Sequence, residues 1–260
     1  FPRQIVISEM MPDHVHDLRN PHRILPAPCS RKTPTAHPLR YPCSSASQLN
    51  PRTLPSDLSQ SSHPKIEKDL HTKGFKNICG IDEAGRGPLA GPVVVAGAIM
   101  PEDSMIEGVN DSKKVSEKKR EILYDKIIEE AISYSVAIID EKIIDEINIL
   151  NATKKGLTQV VGGQKVKPDI IIVDALNNID TLGIPYTPII KGDALAYSIS
   201  CASIIAKVTR DRIMRQMDEI YPEYGFAGHK GYGTAKHIAA IKEYGLCKIH
   251  RRSFTKNFVK

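Results

Sequence analysis

Short apolar runs and longer amphipathic stretches alternate along the chain from residue 76 onward. Residues 78–81 and 92–99 are apolar runs of strand length, and the second is apolar enough to be buried on both faces. Three later apolar runs also predict strands, at residues 134–139, 169–174 and 186–190. The pattern therefore predicts five strands.

Apolar residues recur at helical spacing in four other stretches. The predicted helices span residues 117–132, 140–161, 196–220 and 234–244. Ser116 is a fair N-cap for the first helix, the second has a break near residues 148–151, and Pro222 stops the third. Strands mixed with helices in one domain predict an α/β sheet with helices on its faces.

The chain changes character near residue 75. Residues 1–75 hold eleven of the eighteen prolines and six of the nine histidines, with serine clusters and no sustained apolar period. Such a segment buries too little apolar surface to offset its ordering entropy, so we predict a disordered extension. Its role stays open, including a targeting role or an origin upstream of the true start, since the chain begins with Phe1. Residues 76–260 are predicted to form one globular domain.

Composition narrows the class of protein. The chain has 260 residues and a formal charge of +6, and residues 225–260 carry eight Lys and Arg side chains against one Glu. A basic segment in a balanced chain fits a polyanionic partner, although a solvated surface helix and tail would look similar. The five scattered cysteines argue against a disulfide framework or zinc site and favour a reducing compartment. No apolar run is long enough to cross a membrane.

The most informative residues are the adjacent carboxylates Asp82 and Glu83, which end an apolar strand and run into a Gly85-Arg86-Gly87 turn. Neighbouring strand residues face opposite sides of a sheet, so the pair can offer oxygen ligands to a hard metal ion from two directions. The glycines expose backbone N–H groups, and the arginine suits phosphate. The pattern favours phosphodiester chemistry over the alternative, a solvated turn.

Two further carboxylates follow later strands. Asp174 ends one strand and Asp193 follows another, although the first could be a turn residue and the second a helix N-cap. Because ligands gather at strand ends in open α/β sheets, we expect these side chains near Asp82 and Glu83. Four gathered carboxylates repel one another, and a pair of divalent ions would remove that repulsion.

These residues carry a family resemblance. Residues 80–98, GIDEAGRGPLAGPVVVAGA, resemble the signature of ribonuclease HII, the type 2 ribonucleases H. The resemblance continues in the family's order through residues 111–114, 173–175, 191–194, 202–211, 229–234 and 250–254. It covers essentially all of residues 76–260, whereas residues 1–75 have no recognised counterpart.

The resemblance implies an RNase H-like fold, a mixed five-stranded sheet flanked by helices, with a C-terminal helical segment. It implies an endonuclease that hydrolyses RNA in RNA–DNA hybrids and nicks 5′ to single ribonucleotides in duplex DNA, leaving 5′-phosphate and 3′-hydroxyl ends. The family's catalytic, metal-binding carboxylates map onto Asp82, Glu83, Asp174 and Asp193, with two Mn²⁺ or Mg²⁺ ions as cofactors.

The resemblance also implies a biological setting. It implies roles in ribonucleotide removal and RNA primer removal during DNA replication and repair, in the cytoplasm, by a monomer without membrane contact. A sliding-clamp partner is not evident from the sequence.

Substrate-binding residues also follow from the resemblance. The turn Gly85, Arg86 and Gly87 is expected to approach the ribose 2′-OH through its backbone, and Tyr232 to pack on the following sugar. Further candidates, mostly for phosphate contacts, are Lys113, Lys114, Ser203, Lys207, Arg210 and Lys230. The alternatives are a core aromatic for Tyr232, a small packing residue for Ser203, and a solvated helix face for Lys207 and Arg210.

Two other functions stay open at this point. A catalytically silent binding module on the same fold would be expected to lack a carboxylate, and all four are present. Another nuclease of this fold, such as a recombinase or transposase core, would be expected to lack the Gly85-Arg86-Gly87 turn and the glycines that flank Tyr232. Both features favour the nuclease of the resembled family.

Overall fold

The computed structural model describes residues 65–109 and 115–258, and five strands lie in this part of the chain. They are β1 (Ile78–Ala84), β2 (Val93–Ile99), β3 (Ser133–Ile139), β4 (Ile170–Asp174) and β5 (Tyr186–Ile189). The strands form one sheet in the order β3-β2-β1-β4-β5. β1 to β3 pair antiparallel, whereas β4 and β5 run parallel to β1. The expected mixed five-stranded sheet is confirmed.

Eight helices lie in the described residues. They are α1 (Lys65–Thr72), α2 (Glu117–Glu130), α3 (Glu141–Gly162), α4 (Gly192–Leu195), α5 (Tyr197–Ile220), α6 (Phe226–His229), α7 (Ala235–Tyr244) and α8 (Arg252–Thr255). The four helices predicted from spacing correspond to α2, α3, α5 and α7, and α6 to α8 form the expected C-terminal helical segment.

Two local signals predicted from the sequence are confirmed. Ser116 caps α2, and its hydroxyl accepts the N–H of Lys119. α3 is interrupted at Asn148, whose φ of 66° and ψ of 165° are not helical. The Asn148 side chain accepts the N–H of Asn151 at 3.1 Å, so the same residue that breaks the helix also caps its continuation.

The two faces of the sheet are covered by different helices. α3 packs on β2 and β3, and its Leu157 and Val160 join a buried cluster with Ile81 of β1. α5 packs on β1 and β2, and its Ile199 joins a second cluster with Ile78. Since side chains alternate along β1, Asp82 belongs to the α5 face and Glu83 to the α3 face.

Helical structure begins before the predicted boundary at residue 75. α1 begins at Lys65, and Ile66, Leu70 and Phe75 pack against the buried cluster on the α5 face. Glu67 is buried and accepts both the N–H and the hydroxyl of Ser198 at 2.9 Å. Apolar spacing over only two turns was too short a signal to predict this helix. Residues 1–64 lie outside the described residues, and the prediction of disorder for them stays a prediction.

No helix in the described ranges combines the length and the apolar character needed to cross a membrane.

Candidate active site

The sheet register brings carboxylates of two neighbouring strands together. β1 and β4 are parallel, and Ile81 pairs with Val173. Asp82 and Asp174 each come one residue later, so they stand side by side at the carboxyl ends of adjacent strands. This is the edge at which open α/β sheets bind ligands.

Asp82 is a buried carboxylate at this edge, and its pKa is raised. Asp82 is 7% exposed, and the hydroxyl of Ser203 on α5 hydrogen-bonds the Asp82 carboxyl group. Burial first, and then the charges of Glu83 and Asp174, raise the pKa of Asp82 to about 8, whereas the Ser203 bond opposes this rise. Negative charge at this position is therefore disfavoured in the protein alone, and a nearby cation would favour it.

Asp193 is tied to the site through the chain that precedes it. The Asp174 carboxylate accepts the N–H of Gly192 at 2.9 Å, which fixes the start of α4 against the end of β4. Asp193 is the next residue and is buried, and its carbonyl accepts the Ser200 hydroxyl at 2.8 Å. Lys191, in the left-handed region with φ 58°, makes the turn from β5 into α4.

A cavity of about 280 Å³ opens at this edge of the sheet. It contains most of the site residues predicted from the sequence. The lining residues are Asp82, Glu83, Ala84, Gly85, Arg86, Gly87, Asp174, Ser203, Lys207, Arg210 and Tyr232. Three predicted carboxylates thus share one cavity with the glycine turn and Tyr232, whereas Asp193 and Lys230 do not line it.

The donor chemistry fits a hard divalent cation, but the side chains do not form a ready ligand set. Across residues 65–109 and 115–258, no three His, Cys, Asp or Glu side chains are placed to hold a metal ion. The prediction that four carboxylates converge on metal ions stays a prediction. Two of them have partners within the protein: Glu83 pairs with Arg86 at 3.2 Å, and Asp174 accepts the Gly192 N–H.

The Gly85-Arg86-Gly87 turn lies against Tyr232 and Arg210. Gly85 has φ +96°, and a Cβ there would overlap the Arg210 side chain, so both conformation and space require glycine. A Cβ on Gly87 would lie 3.8 Å from the Tyr232 ring, an ordinary contact. Tyr232 is 45% exposed, so the alternative of a core aromatic is excluded.

Ser203 has a different role from a plain packing residue. It is buried on α5, faces the cavity and bonds Asp82. The alternative of a small packing residue does not describe Ser203, because the Ser203 hydroxyl hydrogen-bonds Asp82, a candidate metal ligand.

The basic candidates for phosphate contacts differ in their surroundings. Lys207 lines the cavity and pairs with Asp211 at 2.5 Å, one helical turn away, and burial lowers its pKa. Lys230 is largely buried; its ammonium group contacts the Ala227 carbonyl and pairs with Glu117 at 3.4 Å. Lys230 does not line the cavity, and its phosphate contact stays a prediction.

Arg210 is buried and bound to the backbone. Its guanidinium is buried and donates to the carbonyls of Pro92, Lys230 and Ala90 at 3.0 to 3.1 Å. The alternative of a solvated helix face is wrong, because the side chain is buried and its donors bind backbone carbonyls. Arg210 also lines the cavity, and its phosphate contact stays a prediction. The candidates Lys113 and Lys114 lie outside the described residues.

Sequence reasoning missed the role of two groups beside the site. Arg251 is fully buried and donates to the carbonyls of Gly85, Arg86 and Gly91. His237 and His250 are buried and joined through their Nε2 atoms at 3.0 Å. Both histidines and the arginine belong to the basic C-terminal segment. The sequence analysis related the charge of this segment to a polyanionic partner or a solvated surface, and not to buried hydrogen bonds.

Together, the mixed sheet and its acidic edge beside a glycine turn define the class of RNase H-like nucleases. A solved structure of ribonuclease H2 from Pyrococcus horikoshii has this fold, with TM-score 0.61, 29% identity, and coverage of 70% of this chain and 96% of that chain. The PCNA–RNase HII complex from Archaeoglobus fulgidus is similar, with TM-score 0.60, 27% identity and the same coverage of 70% and 96%.

The family model for ribonuclease HII matches residues 79–257. A ribonuclease HII of Acetivibrio thermocellus is 61% identical over 193 residues, which cover 74% of this chain and 75% of that protein. The chain belongs to the ribonuclease HII family. It is a ribonuclease H, an endonuclease that acts on RNA–DNA hybrids.

Proposed function

We propose that this endonuclease nicks 5′ to single ribonucleotides embedded in duplex DNA, in addition to cleaving longer hybrids, and leaves 5′-phosphate and 3′-hydroxyl ends. One observation carries the proposal. The cavity that holds Asp82, Glu83 and Asp174 is also lined by the Gly85–Gly87 turn and by Tyr232. The carboxylates that would bind metal ions and the backbone that would contact a ribose thus line the same cavity.

The carboxylates of Asp82, Glu83, Asp174 and Asp193 would hold two divalent cations, Mg²⁺ or Mn²⁺. Oxygen donors suit these hard ions, and the raised pKa of Asp82, caused by burial and then by Glu83 and Asp174, is the cost that a cation would offset. Ions bound there would supply an activated water and stabilise the leaving oxygen. Glu83 would exchange its contact with Arg86 for this role.

The chain's own residues would bind and orient the nucleic acid. Ser203 keeps the Asp82 carboxyl group in a fixed direction. Tyr232, exposed at the rim, would pack on the sugar that follows the ribonucleotide and disfavour an added 2′-OH there. Lys207 lines the cavity and is held in place by its ion pair with Asp211. Its positive charge would interact with a backbone phosphate of the nucleic acid.

The proposal includes a biological setting. The activity would serve ribonucleotide removal and RNA primer removal during DNA replication and repair in the cytoplasm. The enzyme would act as a monomer. The A. fulgidus relative was solved with PCNA, and a sliding-clamp contact of this chain can be tested by co-elution of the two proteins.

The test is cleavage of a labelled DNA duplex that contains one ribonucleotide, with Mg²⁺ or Mn²⁺. We expect a single nick on the 5′ side of the ribonucleotide, which DNA ligase can reseal because the ends are a 3′-hydroxyl and a 5′-phosphate. Asp82→Asn keeps the shape of the side chain but removes its charge. We expect this variant to lose at least about 100-fold in rate, as for removal of a group that stabilises the transition state.

Asp103→Asn is the matched control, because Asp103 is an exposed carboxylate that does not line the cavity. It should nick at the wild-type rate. Equal rates for Asp82→Asn and Asp103→Asn, or a wild type that cleaves long hybrids but leaves the single ribonucleotide intact, would contradict the proposal.

A further inference from the structure

Arg251 is a buried cation without a carboxylate at ion-pair distance among the described residues. Its three nitrogen atoms donate to three backbone carbonyls: Nε to Gly91 at 2.9 Å, Nη1 to Arg86 at 3.0 Å and Nη2 to Gly85 at 2.6 Å. Burial and then the charge of Arg210 lower the pKa of Arg251 to about 9. A guanidinium in such a place is costly unless its hydrogen bonds fix something that the protein needs.

The three acceptors determine which way the glycine turn faces. In a trans peptide unit, the C=O of one residue and the N–H of the next point in opposite directions. The carbonyls of Gly85 and Arg86 point to Arg251, so the N–H groups of Arg86 and Gly87 point away from it. Gly85, Arg86 and Gly87 line the cavity, whereas the buried Arg251 does not, so the cavity lies on the side of the turn away from Arg251.

The remainder of the same loop behaves differently. The N–H groups of Leu89 and Gly91 donate to the carbonyls of Gly231 and Ile249, both at 2.8 Å. Those donors are used inside the protein, where they join the loop to the C-terminal segment. The orientation toward the cavity is thus confined to the two peptide units that Arg251 holds through the carbonyls of Gly85 and Arg86.

We propose that Arg251 is a positioning residue for ribose selection, which turns the N–H groups of Arg86 and Gly87 toward the 2′-oxygen of the ribonucleotide. The inference rests on the proposed function, since it assumes that the ribonucleotide occupies this cavity. It adds a residue of the C-terminal segment that is 165 and 166 positions away from the residues it holds.

Lysine cannot replace arginine in this role. The planar guanidinium presents several donors in a fixed fork, and here one side chain reaches carbonyls of three residues. An ammonium group is a point donor, so Arg251→Lys keeps the charge but leaves the orientation of at least one peptide unit unfixed.

The experiment compares the affinity for two duplexes that differ only in one 2′-OH. Dissociation constants are measured by fluorescence anisotropy in Ca²⁺, with duplex integrity checked on a denaturing gel. The quantity of interest is the ratio of the two constants, deoxy over ribo. For Arg251→Lys we expect this ratio to fall about tenfold, the worth of roughly one net hydrogen bond.

Arg252→Lys is the matched control, because Arg252 is the next residue in the chain and its side chain is exposed. It should keep the wild-type ratio. A role of Arg251 in folding alone would weaken binding of both duplexes equally, so an unchanged ratio in Arg251→Lys overturns the inference. If the wild type itself binds both duplexes equally, the proposed function is also wrong. The wild-type ratio therefore distinguishes a failure of the proposed function from a failure of the inference about Arg251.

A second measurement on the unaltered protein covers the case in which Arg251→Lys does not fold. The amide protons of Arg86 and Gly87 are followed by NMR while either duplex is added. We expect both amide resonances to shift more with the ribonucleotide duplex than with the all-deoxy duplex. Equal shifts with the two duplexes would overturn the inference whatever the variant does.

Discussion

At the scale of single residues, Gly85 and Gly87 show that one short turn needs glycine for two different reasons. Gly85 has a positive φ, and a side chain there would overlap Arg210. Gly87 has space for a methyl group, with its nearest neighbour the Tyr232 ring. Folding therefore requires glycine at position 85, whereas only the approach of a substrate would require it at position 87.

This difference predicts the effects of two alanine variants on stability. Gly85→Ala should lower the free energy of unfolding by about 2–4 kcal/mol, because left-handed strain and overlap with Arg210 add. Gly87→Ala should change it by less than about 1 kcal/mol. Urea unfolding followed by circular dichroism measures both values, and similar losses for the two variants would show that the assigned cause is wrong.

The burial of Arg210 and Arg251 could not be predicted from the sequence. Arg210 lies on a helix among polar neighbours, and Arg251 lies in a basic segment. Five of their six carbonyl acceptors lie 118 to 166 positions away in the chain, and the sixth, Lys230, lies 20 positions from Arg210. Local pattern contains no information about such partners. The carboxylates, by contrast, could be predicted because each follows an apolar strand.

At the scale of elements, the loop that carries Tyr232 is held by a chain of hydrogen bonds through two histidines. The backbone N–H of Cys247 donates to His250 Nδ1 at 3.0 Å, so His250 carries its proton on Nε2 and donates to His237 Nε2. His237 then carries its proton on Nδ1 and donates to the Tyr232 carbonyl at 2.9 Å. Both rings must be neutral, because a second proton on either ring would face another donor.

This arrangement predicts a pH dependence of stability. Burial first, and then the neighbouring His237 ring, lower the pKa of His250 to about 4, from a usual value near 6.5. The unfolded chain therefore binds more protons than the folded one between these values. The contribution of His250 to stability should be fully present above pH 6.5 and should be lost as the pH falls from about 6.5 to about 4.

The measurement is the thermal midpoint of the wild type and of His250→Gln between pH 7.5 and 4.5. Other groups also titrate in this range, so the informative quantity is the difference between the two curves. The wild-type midpoint should fall more steeply below pH 6.5 than that of the variant. Parallel curves would show that His250 does not titrate differently in the folded and unfolded states.

Helices and strands were largely predictable, with ends shifted by a few residues. The break in α3 followed from asparagines that favour non-helical backbone, and Asn148 adopts a φ of 66°. α1 was not predicted, because its eight residues lie in a proline-rich context and gain their stability from the domain they pack against. Tertiary contacts, not local spacing, determine such a short helix.

At the scale of the whole molecule, the site depends on strand order. Asp82 and Asp174 are neighbours because β4 pairs with β1, although β2 and β3 lie between them in the chain. Apolar runs predict that strands exist but not which strands pair. The expected sheet came from the family resemblance, and the register then determines that Asp82, Asp174 and the α5 residue Ser203 meet at one edge.

The extent of the folding unit gives the last prediction, which revises the expected boundary at residue 75. A protein of residues 76–260 lacks α1, so it exposes the surface under Ile66 and Leu70 and leaves the N–H and hydroxyl of Ser198 without Glu67. Relative to a protein of residues 65–260, we expect a loss of about 2–4 kcal/mol in unfolding free energy. This corresponds to roughly 5–15 °C in the thermal midpoint.

Two point variants of the 65–260 protein separate the contributions to this loss. Glu67→Ala removes the bonds to Ser198 and should give an intermediate midpoint, whereas Lys68→Ala, on the exposed side of α1, should leave it unchanged. Nicking activity at a temperature where both lengths are folded should be similar, because α1 does not contribute to the cavity lining. If both lengths instead melt at the same temperature, the packing of α1 does not stabilise the domain, and this prediction is wrong.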